Sequence, residues 1–140
     1  MNIIEQYFKG NASFTNKFFP GASEDDINDA EELLNIKFPG DYSEFLRISN
    51  GFEGFINQFY LRLIPVGFIH DDSLDYCSER FAWALYLGTN GGGEMVVLDT
   101  RKQPFEFGLL PYLGEDDDII YLGNSFTSFV EAMYNDEVFD

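Results

Sequence analysis

Apolar residues in the first third of the chain recur at helical spacing, and from residue 59 onward they mostly alternate. Ile3, Ile4, Tyr7 and Phe8 fall on one face of a short N-terminal helix over residues 2–8. Phe18-Phe19-Pro20-Gly21 breaks any continuation. Ser23 reads as an N-cap, with Asp26 three residues on as a weaker form of the capping box. Glu24, Asp25 and Asp26 occupy the first turn, where the helix dipole favours negative charge. Ile27, Ala30 and Leu34 form the buried stripe of this helix, and Phe38-Pro39 closes it. A further helix is predicted over about residues 41–49, with Tyr42, Phe45 and Leu46 inward. Asn50-Gly51 stops it, because glycine accepts a left-handed backbone.

The period then changes. Phe59, Leu61 and Leu63 alternate with Tyr60, Arg62 and Ile64, as a strand would. Pro65 and Gly67 interrupt, and Asp71, Asp72 and Asp75 read as an acidic loop. Residues 81–87 are apolar on both faces, which predicts a central strand covered on both sides. Residues 88–93 read as a flexible turn, and Met95 to Leu98 as a buried strand ending at Asp99. The connection is too short for a crossover helix, so the two strands should pair antiparallel. Phe105, Phe107 and Leu109 alternate again until Pro111 and Gly114. Glu115, Asp116, Asp117 and Asp118 make an acidic turn before a short strand over residues 119–122. Asn124 or Ser125 caps a last helix with Phe126, Phe129, Val130 and Met133 inward, and the acidic tail from residue 135 frays. The sum is an α+β domain over residues 1–140. Its twisted, mainly antiparallel sheet has about five or six strands, flanked by N-terminal helices and one C-terminal helix.

Composition agrees with a folded chain. A length of 140 residues suits one core, and 45% hydrophobic and 18% aromatic residues bury enough apolar surface to offset chain ordering. Charge narrows the partners. Asp and Glu number 25 against 8 Lys and Arg, a formal net charge of -17. That field repels phosphate backbones and anionic membrane surfaces, so neither nucleic acid nor membrane is an expected partner. It attracts a basic protein, and it also keeps a Phe-rich chain soluble. Cys77 is the one cysteine, so no intrachain disulfide forms. The start, MNIIEQYFKG, lacks the pattern of a secretory signal, and no stretch approaches the ~20 apolar residues that span a bilayer. The cytoplasm is the expected compartment.

No catalytic constellation stands out. His70 and Cys77 are seven residues apart and carry no nucleophile signature; a loop histidine and a half-buried thiol explain them. One His and one Cys cannot build a structural zinc site without several carboxylates, and the acidic runs lack the ligand spacing of a calcium loop. The run from Gly88 to Glu94 has no Lys-Ser/Thr and precedes a strand rather than a helix, which argues against a phosphate loop. Its glycines suit a hairpin connection, or the close approach of another chain. Ser125 reads as a helix cap and Trp83 as core. Neither a cofactor nor a metal is expected.

One ordered set of residues is more specific. Ala22-Ser23-Glu24, Ile36-Lys37-Phe38-Pro39-Gly40-Asp41-Tyr42, Phe45-Leu46 and Asn50-Gly51 resemble the opening of the SUKH superfamily, which includes the fungal Smi/Knr regulators of cell-wall assembly and many bacterial immunity proteins. Tyr60-Leu61-Arg62-Leu63, Asn90-Gly91-Gly92-Gly93-Glu94, the strand ending at Asp99 and Ser125-Phe126-Thr127-Ser128-Phe129 follow in the matching order. The resemblance spans about residues 20–135, and Phe52-Glu53-Gly54 departs from the usual glycine-rich turn.

The resemblance implies a non-catalytic domain that binds and neutralises a polymorphic toxin, such as a nuclease. Combined with the charge, it nominates Asp71, Asp72, Asp75, Gly92, Glu94, Glu115, Asp116, Asp117 and Asp118 as the surface that meets a basic toxin. The chain would act as a monomer or weak homodimer. The alternatives are a scaffold of the Smi/Knr type and a hydrolase built on carboxylates.

Overall fold

Ser23 and Asp26 do form a reciprocal cap: the Ser23 hydroxyl accepts from the Asp26 amide at 3.1 Å, and the Asp26 carboxylate accepts from the Ser23 amide at 3.3 Å. The fold is that of a computed structural model, in which residues 7–8 and 15–135 are described. Helix α1 (Glu24–Leu34) follows that cap, then α2 (Gly40–Ile48), α3 (Ile69–Tyr76) and α4 (Phe126–Tyr134). The strands are β1 (Lys17–Phe18), β2 (Phe52–Ile56), β3 (Phe59–Leu63), β4 (Ala84–Thr89), β5 (Glu94–Asp99), β6 (Glu106–Pro111) and β7 (Ile120–Gly123). They form one seven-stranded sheet in the order β1-β2-β3-β4-β5-β6-β7, each neighbour antiparallel. The chain is therefore α+β, as its pattern predicts, with more strands than the alternation alone exposes. Most of the helix predicted over residues 2–8 lies outside the described residues; Tyr7 and Phe8 are buried.

The two faces of the sheet have different covers. On β6, Phe107 points to a face where it contacts Tyr42 of α2 and stacks on Phe129 of α4, with ring centroids 6.0 and 5.6 Å away. Phe126 of α4 packs against both Tyr42 and Phe45. The Asp41 carboxylate of α2 accepts from the amides of Phe126 and Thr127, which fastens α2 to the N-terminus of α4. Met95 of β5, paired with Leu110, points to the other face, where its sulfur lies 3.9 Å from the Cys77 thiol. Helix α3 covers that face, and the Ser73 hydroxyl accepts from the Tyr86 amide of β4. Each fully buried aromatic ring contributes roughly 1.5–3 kcal/mol by leaving water.

Three elements differ from the sequence reading. Asp71, Asp72 and Asp75 lie on α3, not on a loop. Ile69, Ser73 and Cys77 recur at helical spacing and are all buried, and acids in the first turn suit the helix dipole. The strand predicted from residue 81 begins only at Ala84. Before it, the Phe81 amide bonds the Cys77 carbonyl and the Ala84 amide bonds the Phe81 carbonyl, which makes a turn. Phe52-Glu53-Gly54, read as an altered turn, opens β2, whose buried and half-buried residues alternate. Among the described residues, no helix is long and apolar enough to cross a membrane.

Candidate partner-binding face

The α3 face of the sheet brings several of the nominated acids beside a group of tyrosines, while Asp71 pairs with His70 on the other flank of α3. Asp71 and Asp75 are exposed on α3, and Asp72 is half-buried beside the sheet. One turn beyond Asp72, Tyr76 stacks on Tyr86 of β4 at 4.7 Å and meets Tyr112 edge-on at 5.7 Å. The hydroxyls of Tyr86 and Tyr112 share a hydrogen bond of 3.0 Å. The Tyr112 amide in turn bonds the Gly93 carbonyl at 3.1 Å, so the same residue reaches the turn that carries Gly92 and Glu94.

The third acidic segment is tied in from the other end of α3. Arg80 donates to the Gly114 carbonyl and sits 3.6 Å from the Glu115 carboxylate. A short 3-10 turn, Asp116–Asp118, follows, and the Asp118 carboxylate accepts from the Glu115 amide at 2.7 Å. Asp117 is exposed on this turn, and Asp116 accepts from the Trp83 indole nitrogen at 3.2 Å. The fold thus brings together three acidic segments that are separate in sequence.

A second cluster stiffens this face. Asp99 ends β5 almost fully buried, with both carboxylate oxygens on the Arg101 guanidinium, at 3.1 and 3.0 Å. Tyr121 of β7 donates to Asp99 at 2.7 Å. Burial alone would raise the Asp99 pKa, but the bonds from Arg101 and Tyr121 outweigh it and hold the carboxyl below its usual range. Arg101 is left with its guanidinium over the Trp83 ring, 3.8 Å from the centroid, a cation–π contact. Trp83 is a half-buried residue of the turn before β4 that packs against the edge of the core.

The electrostatics of the face are negative and under tension. Burial raises the pKa of Asp72, and repulsion from Asp75 and Asp71 adds to that; Arg62 offsets part of it. Burial likewise raises the Tyr86 phenol, with the Tyr112 bond and the Asp72 charge adding to it. Tyr86 stays un-ionised at neutral pH, so of the two groups only the charged form of Asp72 carries a cost.

The turn from Thr89 to Glu94 is closed by side-chain hydrogen bonds from two of its own residues. Asn90 accepts from the amides of Gly92 and Glu94 and donates to the Glu94 carboxylate at 2.9 Å. Thr89 accepts from the Gly91 amide and donates to the Glu94 carbonyl. Glu94 is half-buried and engaged, whereas Gly92 stands at an exposed tip. Gly88 belongs to β4, and the close approach it permits is internal: a Cβ there would lie 1.9 Å from the Arg62 carbonyl oxygen.

The face offers little covalent chemistry. Cys77 is buried and its thiol pushed up to about 12 by burial, so it holds almost no thiolate at neutral pH. His70 lies two turns away along α3, roughly 10 Å of helical rise, and pairs with Asp71 at 3.2 Å. Among the described residues, no group of three or more His, Cys, Asp or Glu is placed to hold a metal ion. The sequence reading missed Tyr76, Tyr86, Tyr112, Arg80, Arg101 and Tyr121, because no spacing along the chain links them.

Comparison with known proteins adds a lineage. A Bacillus subtilis (strain 168) protein, YnaB, described as uncharacterized, is 35% identical over 98 residues. That match covers 70% of this chain and 64% of the relative, so it spans somewhat less than two thirds of the relative's length. Residues 21–132 match the SMI1 / KNR4 family (SUKH-1), and they include every strand from β2 to β7 and the four helices up to Ala132. The chain belongs to the SMI1 / KNR4 (SUKH-1) family.

Proposed function

We propose that this chain is a non-catalytic binding module of the immunity type, which occludes a basic toxin domain with the α3 face of its sheet. The observation that carries this reading is the convergence of Asp72 and Asp75 with the turn of Glu115, Asp116, Asp117 and Asp118 beside Tyr76, Tyr86 and Tyr112. Acids at the rim steer a cationic partner, and tyrosine, tryptophan and arginine are the side chains that most often anchor an interface. The Asp99–Arg101–Tyr121 bonds support it by holding Arg101 and Trp83 in place before a partner arrives. Gly92 and Glu94 lie at the margin of the face, where Glu94 acts through the shape of the turn more than through free charge. The chain works in the cytoplasm, as a monomer or weak homodimer, and protects the cell that makes the toxin.

Co-expression with a basic toxin domain sought in the neighbouring reading frames tests the proposal. The wild-type chain rescues growth, and the purified pair associates at a rate that falls at least about tenfold as salt screens the acids. Asp72→Asn with Asp75→Asn slows association, and Tyr76→Ala speeds dissociation. Unchanged rescue and rates in both variants would remove this face from the interface. Turnover of a substrate by the purified chain would replace binding with catalysis, and capture of a housekeeping complex would favour the scaffold role.

A further inference from the structure

Helices α1 and α3 leave an apolar groove between them, on the flank of α3 away from the tyrosines. Leu33 and Leu34 of α1 face His70 and Leu74 of α3 across it, with Ala84 and Leu85 below, around a volume of about 290 Å³. Past Leu33 and His70 the groove opens into a second depression of about 350 Å³, bordered by Phe68. Leu33, Phe68 and Leu74 are among the most exposed large apolar side chains of the fold, at 63%, 57% and 54%. A chain with this much surface charge has no lack of polar residues for these positions, so three apolar groups beside one groove are unlike scattered surface leucines.

The rim carries one sign of charge. Asp26 and Asp29 line the Phe68 end, Glu32 flanks Leu33, and Asp71 stands beside His70. Among the described residues, no Lys or Arg lines any part of it. Two basic residues near it in sequence are engaged elsewhere: Lys37 with Glu31, and Arg80 with Glu115 and the Gly114 carbonyl. This combination selects the occupant. An acidic or anionic surface is repelled by the rim. A second copy of the chain would bring like-charged rims face to face. A basic but featureless chain would satisfy the acids and leave the three apolar side chains wet.

We infer that the groove docks an amphipathic helix of a partner protein, with leucine-like anchors seated between Leu33, Phe68 and Leu74 and with Lys or Arg flanking them over Asp26, Asp29, Glu32 and Asp71. A groove between two helices is the form that accepts a third by its apolar face. The inference goes beyond toxin occlusion at the tyrosine face, because it concerns a different flank of α3 and needs no toxin.

The test uses the whole chain and a fluorescein-labelled peptide of about 14 residues, four helical turns, built from Leu and Lys with Leu on one helical face. A peptide of the same composition with Leu spread evenly, and one with Glu in place of Lys, are its controls. Anisotropy at about 150 mM salt is expected to show binding of the first peptide alone. Leu33→Ser with Leu74→Ser weakens it at least about tenfold, as does Asp29→Asn with Glu32→Gln, whereas Ile48→Ser on α2 leaves it unchanged. Circular dichroism confirms that each variant is folded. Equal binding of the spread-leucine peptide, or undiminished binding by Leu33→Ser/Leu74→Ser, overturns the inference. So does a dimer in sedimentation that this double substitution dissolves, since it assigns the groove to a second copy. Growth rescue does not enter the readout, so failure here and failure of toxin occlusion are separable.

Discussion

The Arg101 guanidinium lies 3.8 Å from the centre of the Trp83 ring while both oxygens of the buried Asp99 hold it from below. A cation that is fixed by a buried acid and covered by an indole is restrained before any partner binds. Asp99 is therefore expected to matter for stability as well as for recognition. Its folded pKa is depressed, so the stability it adds is present above the ordinary carboxylate pKa and is lost as pH falls through the folded value. Asp99→Asn should cost about 1–3 kcal/mol at pH 7. Urea unfolding at falling pH checks the sign: the gap between wild type and variant should close below about pH 4.

Asp72 works in the opposite direction. Burial and its neighbours Asp75 and Asp71 raise its pKa, so the ionised form destabilises the fold near neutral pH. That penalty vanishes once the pH is below the unfolded carboxyl value, where Asp72 is protonated in both states. Asp72→Asn is expected to raise Tm at pH 7 and to leave it unchanged near pH 3. A variant that gains stability while losing partner association is what an acid kept for binding predicts. Calorimetry on the free chain and association kinetics on the complex read the two effects separately.

Tyr42 is fully buried, and its hydroxyl has no hydrogen-bond partner, the one such side-chain atom among the described residues. Its ring is nevertheless central, with contacts to Phe38, Phe107 and Phe126. Tyr42→Phe keeps the ring and removes the unsatisfied group, so it should be neutral or stabilise by up to about 1 kcal/mol. Tyr42→Ala should cost about 3–5 kcal/mol through the cavity it leaves. Chemical denaturation of the two variants decides between a structural ring and a hydroxyl with a hidden role.

The glycines of the β4–β5 region are not equivalent. A Cβ at Gly88 meets the Arg62 carbonyl oxygen at 1.9 Å, and β3 and β4 pair at Arg62↔Thr89 and Leu63↔Gly88, next to a bond from the Ile64 amide to the Leu87 carbonyl. Gly88→Ala should therefore destabilise by more than about 3 kcal/mol, since the strand contact has no slack. At Gly92 an added Cβ meets nothing closer than Asn90 at 3.5 Å, and its φ is not in the left-handed region. Gly92→Ala should fall within about 0.5 kcal/mol of wild type. Thermal unfolding of the pair separates a glycine needed by the fold from one available to a partner.

Much of the fold is legible in the chain because its signals are local. The Ser23 and Asp26 cap, the Ile27 and Ala30 stripe, and Ser125 at the head of α4 lie within a few residues of what they stabilise. Alternation at Leu61 and Leu63, and again at Phe107 and Leu109, reports burial on one side of a sheet. Helix α3 was harder to see. It has only eight residues, too few to be stable by propensity, and it persists because Ile69, Ser73 and Cys77 pack on the sheet. Strand β1, two residues long, exists only as a partner for β2.

The chain alone thus determined its acidity, its helix caps, most of its strands and the family its ordered residues resemble, because each depends on composition or near neighbours. Tertiary structure decided which acids share a surface and what they surround. Residues 76, 86 and 112, or 83, 99, 101 and 121, meet only when separate strands and α3 pack together. Such contacts are set by strand register and by the covering of each sheet face, and neither leaves a periodic trace in a single sequence.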